Sequence, residues 1–396
     1  MQIKIWMLGC LLIIIIHSIA QVPDVYIMDG HRLLEIKKKV KQQDKEILPL
    51  VRQLEKRAEE LLGFKPVSVM EKSFTPVSGN KHDYMSQAPY FWYDSTKPNG
   101  LPYKRKDGVR NPEINKITDR KFIGDLENAT RVLSLAYFLT GKEIYAEKAA
   151  TLLRHWFFNE STKMNPHLEY AQAIPGVNNG RGIGIIETRG LTSIADAAGL
   201  LKGSKSWKET DTRGLQDWYA QYLNWLLNSK NGKDEHMAKN NHGTWFYVQV
   251  VDFALFTGNK ITALTLLEES KKRMDSQMNN EGKMQLELDR TNGLGYSTFN
   301  IRAWFDLAVL AEKVGVDLWN YKNSHGATLK TAVDWLTPYA LEEKPWTYQQ
   351  ISRYNKNEFY PVLLKAAQKY RDPEYLKKAK KIKDEDNIMV DLLYQK

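Results

Sequence analysis

Cysteine is almost absent from this chain of 396 residues, which contains only Cys10. Because Cys10 falls within the export signal predicted below, the mature protein is expected to contain no cysteine. A mature chain without cysteine has no disulfide bonds, no thiolate nucleophile and no cysteine-ligated zinc. A protein of this size can instead rely on its hydrophobic core for stability.

Long apolar runs are also scarce, and the only one covers residues 5–16. This run is too short for a stable membrane anchor. Lys4 precedes it and Ser18-Ile19-Ala20 follows it, a pattern typical of a cleaved signal peptide. We therefore predict a signal peptide at residues 1–20 and an exported chain, periplasmic or secreted, at residues 21–396. A lipoprotein is the alternative, since Leu8-Gly9-Cys10 resembles part of a lipobox. A lipobox cysteine follows the apolar run, however, whereas Cys10 precedes most of it.

Acidic residues are outnumbered by basic ones, with 47 Asp and Glu against 57 Lys and Arg and a formal net charge of +10. An exported basic protein suits an anionic polymer as its partner, although such an excess can also be plain solvated surface. Nucleic acid is not expected, because no recognition motif is present. Aromatic residues are abundant, at 11 Trp, 20 Tyr and 13 Phe, and many stand beside polar residues. That pattern suits stacking on sugar rings.

Strand patterns are sparse, whereas helical periodicity dominates the chain. Residues 122–139 and 144–158 carry apolar side chains at three- and four-residue steps, and Thr140-Gly141 between them is typical of a glycine cap. Similar pairs recur at 245–256 with 261–274 and, more weakly, at 361–370 with 375–382. Repeated helical hairpins predict one all-α domain, an (α/α) toroid or incomplete barrel of about five to seven hairpins.

Four polar segments interrupt the helices, at residues 74–115, 176–184, 230–243 and 279–297. In a helical toroid such loops gather at one end and carry the functional site. The first is longer than a loop usually is without a function. We therefore expect the site to be built from these segments.

Asn241 and His242 lie just before the helix predicted at residues 245–256. Free backbone N–H groups and the helix dipole at this end favour an anion and disfavour a charged imidazole. A neutral histidine beside a carboxamide could hold a carboxylate or accept a proton. A helix cap with a surface histidine explains the same residues.

Arg290 and Tyr296 flank a glycine-containing turn that could bring both side chains into one pocket. A nearby guanidinium favours a phenolate, so we expect Arg290 to lower the pKa of Tyr296. A tyrosine tuned in this way can act first as a base and then as an acid. A glycine-rich turn with a structural tyrosine is the alternative.

A third segment, residues 175–189, offers amide and guanidinium donors, among them Asn179 and Arg189. These groups could bind carboxylates or hydroxyls. Arg189 could equally pair with Glu187 for structural reasons. The glycines of this segment do not follow a strand, so a dinucleotide-binding loop is excluded.

Several of these motifs together resemble the alginate-lyase superfamily of helical polysaccharide lyases. They run in order over roughly residues 80–300 and are Asp83-Tyr84-Met85-Ser86, Pro89-Tyr90-Phe91-Trp92, Pro102-Tyr103, Asp107-Gly108, Asn111-Pro112-Glu113, Met164-Asn165-Pro166, Tyr170-Ala171-Gln172, Gly184-Ile185-Ile186-Glu187-Thr188-Arg189 and Asn240-Asn241-His242-Gly243-Thr244-Trp245. A series of motifs in register is more specific than any one of them.

The resemblance implies β-elimination on a β-1,4-linked polyuronide without a metal ion or other cofactor. It implies that Asn241, His242 and Arg290 neutralise the uronate carboxylate and that Tyr296 is both base and acid. His242 is the alternative base. It further implies substrate contacts from residues in the matching motifs, namely Tyr90, Trp92, Tyr170, Gln172, Asn179 and Arg189. For the aromatic residues of the long loop, anchoring that loop is an equal alternative.

The substrate and two rival functions stay open at the level of sequence. The motifs fit the superfamily better than any single branch, and poly-mannuronate and glucuronan share the geometry that elimination requires. One rival is a glycoside hydrolase that uses paired carboxylates such as Glu187 and Asp252. The other is a polysaccharide-binding protein without catalysis. The sequence makes no prediction of oligomeric state.

Overall fold

The computed structural model describes residues 21–383 and 387–394, so the predicted signal peptide and Cys10 lie outside the described residues. The described chain is mostly helical and contains fifteen α-helices. They are α1 (Gly30–Lys41), α2 (Ile47–Leu62), α3 (Asp119–Thr140), α4 (Glu143–Phe157), α5 (Leu191–Leu201), α6 (Glu209–Asn228), α7 (Lys230–His236), α8 (Asn241–Phe256), α9 (Lys260–Gln277), α10 (Gln285–Leu288), α11 (Gly293–Glu312), α12 (Leu329–Ala340), α13 (Tyr360–Tyr370), α14 (Pro373–Lys381) and α15 (Ile388–Tyr394).

The helical hairpins predicted from periodicity are present. α3 packs on α4, α8 on α9, and α13 on α14. The predicted boundaries differ from the observed ones by a few residues; in α3 and α8 the first turn is polar and shows no apolar periodicity. Gly141 adopts a left-handed conformation with φ of 74° and ends α3 through a bond from its N–H to the carbonyl of Tyr137.

Four short strands lie within the long loops. β1 (Met85–Gln87) pairs in parallel with β4 (Tyr170–Ala173), and β2 (Phe91–Trp92) pairs antiparallel with β3 (Lys104–Arg105). Strands of two to four residues show no period in the sequence, so the analysis above missed them. They fix the segment 74–115 over one end of the helices.

Helix α8 runs through the centre of the fold and positions its own first turn. Every residue of α8 is buried except His242, which is half-buried. Gly243 follows His242 in a very tight space, because a Cβ atom there would lie 2.1 Å from the Ala238 carbonyl oxygen and 2.2 Å from a nitrogen of Arg273. Only glycine fits, so the turn that presents His242 is held closely against its neighbours.

Across residues 21–383 and 387–394, no helix is both long enough and apolar enough to cross a membrane. The buried apolar residues form one continuous core that includes side chains from every described helix except α7 and α10. The single domain at residues 21–396 stays a prediction.

Candidate active site

A cleft of about 360 Å³ opens where the first turns of α8 and α11 meet the long loops. The lining includes Asn241, His242, Arg290 and Tyr296, so the four residues that the sequence analysis singled out converge. Among the described residues that line the cleft, five are arginines and none is acidic; these arginines are Arg105, Arg120, Arg181, Arg189 and Arg290. The lining therefore favours a ligand of negative charge.

A buried carboxylate holds the imidazole of His242. Glu235, at the end of α7, is 1% exposed, and its Oε1 atom accepts a hydrogen bond of 2.8 Å from His242 Nδ1. With Nδ1 occupied in this way, only Nε2 is left for a ligand in the cleft. The imidazole can then act in two ways: with both nitrogens protonated it donates from Nε2, and with Nε2 unprotonated it accepts a proton there.

A second buried carboxylate holds Asn241. Glu287, in α10, accepts bonds from the backbone nitrogen of Asn241 at 2.5 Å and from Nδ2 at 2.7 Å. Burial raises the pKa of Glu287 to about 7, against the opposing effect of these two hydrogen bonds. The carboxamide is thereby fixed while one N–H of its amino group stays available to the cleft.

Arg290 is held from the opposite side by the long loop. Asp107 accepts from Arg290 Nε at 3.1 Å and from Nη2 at 2.9 Å, a bidentate pair. Burial opposes ionisation of Asp107, but Arg290 together with Arg105 brings its pKa down to about 2. Thr291 also donates to Asp107 at 3.1 Å. Arg290 lines the cleft, and Asp107 bonds only Nε and Nη2, which leaves Nη1 as a donor for a ligand.

Tyr296 departs from the sequence expectation in its pKa. Burial raises the pKa of its phenol well above the usual value, the neighbouring Tyr90 raises it further, and Arg290 lowers it only in part. Arg290 does lower the pKa, as expected, but burial outweighs this effect, and the guanidinium stacks on the ring face 3.9 Å from its centroid. That oxygen donates to Tyr90 Oη at 2.9 Å, so the resting side chain is a neutral phenol.

Three of the six predicted substrate contacts lie in the cleft: Tyr90, Gln172 and Arg189. Arg181 fixes Gln172 by donating to its Oε1 at 2.9 Å. Gln172 also has a left-handed backbone, with φ of 50°, which is strained for a residue with a side chain and is common at functional sites. The guanidinium of Arg189 lies 5.3 Å from the ring centre of Phe299 and forms part of the cleft wall.

The other three predicted contacts do not line this cleft. Asn179 lies in a neighbouring groove of about 420 Å³ with Gln87 and Pro175. Trp92 donates from its indole nitrogen to the carbonyl of Val109 at 2.9 Å, an anchoring contact within the long loop. Tyr170 is half-buried in β4, with its ring edge against His167. Their roles in substrate binding stay predictions.

Sequence reasoning missed the acidic residues that position the site. Glu235 and Glu287 lie seven residues before His242 and three before Arg290, and neither stands in a recognisable motif. Asp107 was part of the quoted Asp107-Gly108 motif, but nothing in the sequence pairs it with Arg290. Each of these contacts joins two different structural elements, and the sequence does not show how those elements pack on each other.

Residues 68–346 match the family described as alginate lyase. A solved structure of an alginate lyase from Bacteroides ovatus is 36% identical, with a TM-score of 0.90, and the match covers 94% of this chain and 100% of that one. The chain belongs to the alginate lyase family. Among functionally curated proteins, no match was found. As an alginate lyase family member, the protein is a polysaccharide lyase, which was the predicted class of enzyme.

Two structures of alginate lyase A1-III show the same fold at lower identity. A variant with a histidine replaced by alanine, complexed with a tetrasaccharide, has a TM-score of 0.60 at 15% identity, covering 95% of this chain and 98% of that one. The enzyme from Sphingomonas species A1 has a TM-score of 0.53 at 15% identity, covering 87% and 94%. These matches confirm the predicted α/α toroid.

The carboxylates suggested for a hydrolase do not form a pair in the cleft of this alginate lyase family member. Glu187 accepts from Tyr84 at 2.8 Å and from Ser86 at 2.6 Å, so it is engaged in the loop packing. Asp252 is completely buried in α8, and burial raises its pKa far above the usual value. The membership in a lyase family agrees with this arrangement. The described residues also contain no group of three or more His, Cys, Asp or Glu side chains that could hold a metal ion.

Proposed function

We propose that the protein cleaves a β-1,4-linked polyuronide, poly-mannuronate or glucuronan or both, by β-elimination that needs no metal ion. The observation that carries this proposal is the arrangement of charge in the cleft. Arginine, amide and imidazole groups line it, while Asp107, Glu235 and Glu287 lie behind them as supports. A polyanion bound in the cleft is therefore surrounded by hydrogen-bond donors, and no carboxylate of the lining faces it.

The chemistry needs three functions in one place. A base removes the proton on C5 of the uronate, the C4–O4 bond breaks, and a C4=C5 double bond forms. An acid then gives a proton to O4 of the leaving sugar, so that protons and electrons balance. Negative charge builds up on the adjacent carboxylate during this step, and donors fixed around that carboxylate lower the barrier.

Asn241, His242 and Arg290 are the proposed donors to the carboxylate. Each is held by a separate carboxylate, which fixes its direction before substrate arrives and avoids reorganisation during the reaction. Paired with Glu235, a protonated His242 donates from Nε2. The remaining cleft arginines would bind carboxylates of neighbouring sugars along the chain.

Tyr296 is the proposed base and acid. In D-mannuronate and D-glucuronate the C5 proton and O4 lie on the same face of the ring, so one side chain can serve both steps. The resting phenol is ready for the acid step. The base step requires the phenolate, which Arg290 favours from its position on the ring face.

His242 is a second candidate for the base, and its contact with Glu235 favours this role. A carboxylate that accepts from Nδ1 holds the imidazole in the tautomer whose Nε2 accepts a proton, an arrangement used by general bases elsewhere. Tyr296 would then be the acid alone. This division suits a uronate with the C5 proton and O4 on opposite faces.

The test uses the ultraviolet absorbance of the new double bond. Poly-mannuronate, glucuronan, poly-guluronate and hyaluronan are offered to the full mature chain. We expect absorbance to rise with the first, the second or both, and Tyr296→Phe and His242→Ala to reduce that rate by roughly a thousandfold. No absorbance with either of these two polymers, or full activity of Tyr296→Phe, would refute the proposal.

Exchange of the C5 proton separates the two candidate bases. The substrate is incubated with Tyr296→Phe in deuterated water and examined by NMR. If Tyr296 is both base and acid, the variant neither exchanges nor eliminates. Deuterium at C5 without cleavage assigns the base to His242 and leaves Tyr296 as the acid.

A further inference from the structure

A second chamber of about 390 Å³ adjoins the cleft on the far side of Arg189. Arg189 lines both spaces, and its guanidinium stands 5.9 Å from the ring of Trp245, which lines the chamber. Residues 27–28 and helix α15 also line the chamber. The volume lies within the range of small-ligand sites.

Two helices carry the lining from the cleft into the chamber. Along α3 the lining passes from Arg120 in the cleft to Glu127 and Arg131 in the chamber. Along α11 it passes from Phe299 in the cleft to Arg302 and Asp306 in the chamber. Such spacings keep side chains on one helix face, and the eleven residues from Arg120 to Arg131 span about 16 Å. Cleft and chamber are therefore successive parts of one lining.

Two arginines of the chamber, Arg131 and Arg189, have no carboxylate at ion-pair distance among the described residues. Lys365 pairs with Asp306 at 2.5 Å, and Arg302 lies 3.7 Å from Glu358. The positive groups Arg57 and Arg302 lie near Arg131 and make the charge less favourable still.

Glu127 is the acidic group nearest to these two arginines, and it does not neutralise them fully. Burial raises its pKa to about 8, although Arg189 and Arg131 oppose that rise. Burial thus favours the uncharged carboxyl of Glu127 over its carboxylate. The Oε1 atom is buried without a hydrogen-bond partner, and so is the indole nitrogen of Trp245. Both residues line the chamber, so these two atoms are candidate hydrogen-bonding partners of a ligand there.

We infer that this chamber is a second binding site for a uronate, whose carboxylate binds Arg131 and Arg189. The protonated Glu127 and the indole N–H of Trp245 are further donors to the same ligand. This inference rests on the proposed function, because a short uronide is the product that elimination would release beside Arg189. Arg131 is exposed and Arg189 is half-buried, so a ligand can reach both guanidinium groups, and its carboxylate would form charge-assisted hydrogen bonds with them.

Calorimetric titration of the full mature chain tests the inference. The probes are D-mannuronate, which has no glycosidic bond to cleave, with D-mannose and inorganic phosphate as comparisons. The variants are Arg131→Gln, Arg290→Gln in the cleft, and Lys121→Gln on the exposed part of α3 as the matched control. We expect Arg131→Gln to weaken one mannuronate-binding component at least tenfold, because an ionic hydrogen bond is lost. Arg290→Gln and Lys121→Gln should keep that component.

Three outcomes would overturn the inference: equal binding of mannuronate by wild type and Arg131→Gln, equal binding of mannose, or equal binding of phosphate at the same component. Thermal unfolding supplies a second readout, since loss of an unpaired cation should leave the melting temperature unchanged or higher. A melting temperature lowered by several degrees would assign Arg131 a structural role instead. Failure of the proposed function shows separately, as absent ultraviolet absorbance with polymer, because the monosaccharide titration needs no turnover.

Discussion

The two walls of the cleft are supported in different ways. On the α8 wall, Asn241 and His242 are held by Glu287 and Glu235, whose side chains are 0% and 1% exposed. On the α11 wall, Arg290 and Tyr296 are held by Asp107 and Tyr90, which both belong to the long loop. One wall is part of the helical core, and the other depends on how the loop is seated.

This difference separates two kinds of preorganisation. The side chains of the α8 wall are held in place whenever the core is folded, because the carboxylates that support them are buried. The α11 wall is complete only when the loop covers the helices, as its supports are half-buried and reach Arg290 over 183 residues of sequence. Loop segments open at lower free energy than packed helices. A polymer could enter by displacing the loop that supports the α11 wall while the α8 wall stays fixed.

Loss of a core support should have the largest effect. Glu235→Gln keeps the shape of the side chain, but its amide can donate to Nδ1 and so hold the wrong tautomer of His242. We expect kcat on the best polyuronide to fall about a hundredfold or more, with little change in KM. Glu269→Gln is the matched control, because Glu269 faces His236 at 3.6 Å outside the cleft. Equal rates for both variants would remove Glu235 from the site.

Loss of the loop support should have a smaller effect. Asp107→Asn keeps one acceptor for Arg290 but ends the ion pair, so we expect kcat/KM to fall about tenfold. Asp94→Asn is the control in the same loop, as Asp94 pairs with Lys104 at 2.9 Å away from the cleft. If Asp94→Asn reduces the rate as much, the loop responds as a whole and the direct contact is not the cause.

The same aspartate predicts a change in acid stability. Its pKa of about 2 is below the ordinary value of 3.8, so its stabilisation is present above pH 3.8 and is lost as the pH falls towards 2. The melting temperature of the wild type should therefore fall as the pH is lowered from 3.8 towards 2. That of Asp107→Asn should fall less over the same range. Parallel curves for the two proteins below pH 4 would contradict this assignment.

Glu287 should show the opposite pH dependence, because its pKa is raised. Its pKa lies near 7 instead of 4.5, so its contribution to stability is present below pH 4.5 and is lost as the pH rises through 7. Glu287→Gln imitates the protonated form. Between pH 5 and pH 8 we expect the free energy of unfolding of the wild type to fall by about 2 kcal/mol more than that of Glu287→Gln. The variant should change the rate only a few-fold. Glu281→Gln, at an exposed ion pair, should leave the pH dependence unchanged.

The sequence predicted those parts of the site that have a recognisable local sequence pattern. Asn241 and His242 precede a strongly apolar helix, and Arg290 and Tyr296 flank a glycine turn, so their segments could be identified as site segments. Periodicity also predicted α3, α4, α8 and α9. The supports Glu235, Glu287 and Asp107 were not predicted, since each acts across a contact between elements. The pKa of Tyr296 was mispredicted because proximity to Arg290 was considered without burial.

The smallest expected effect concerns Trp92 in the long loop that supports the α11 wall. Trp92 and Tyr90 belong to one motif, but Tyr90 bonds Tyr296 in the cleft whereas Trp92 bonds Val109 within the loop. Trp92→Phe should change KM for the polymer by about twofold or less, since one exposed hydrogen bond is lost. Tyr90→Phe removes a neighbour that raises the pKa of Tyr296, so the pH at which the rate is greatest should move to lower values. If Trp92→Phe raised KM strongly instead, its ring would contact the polymer, and the α11 wall would extend beyond the cleft described above.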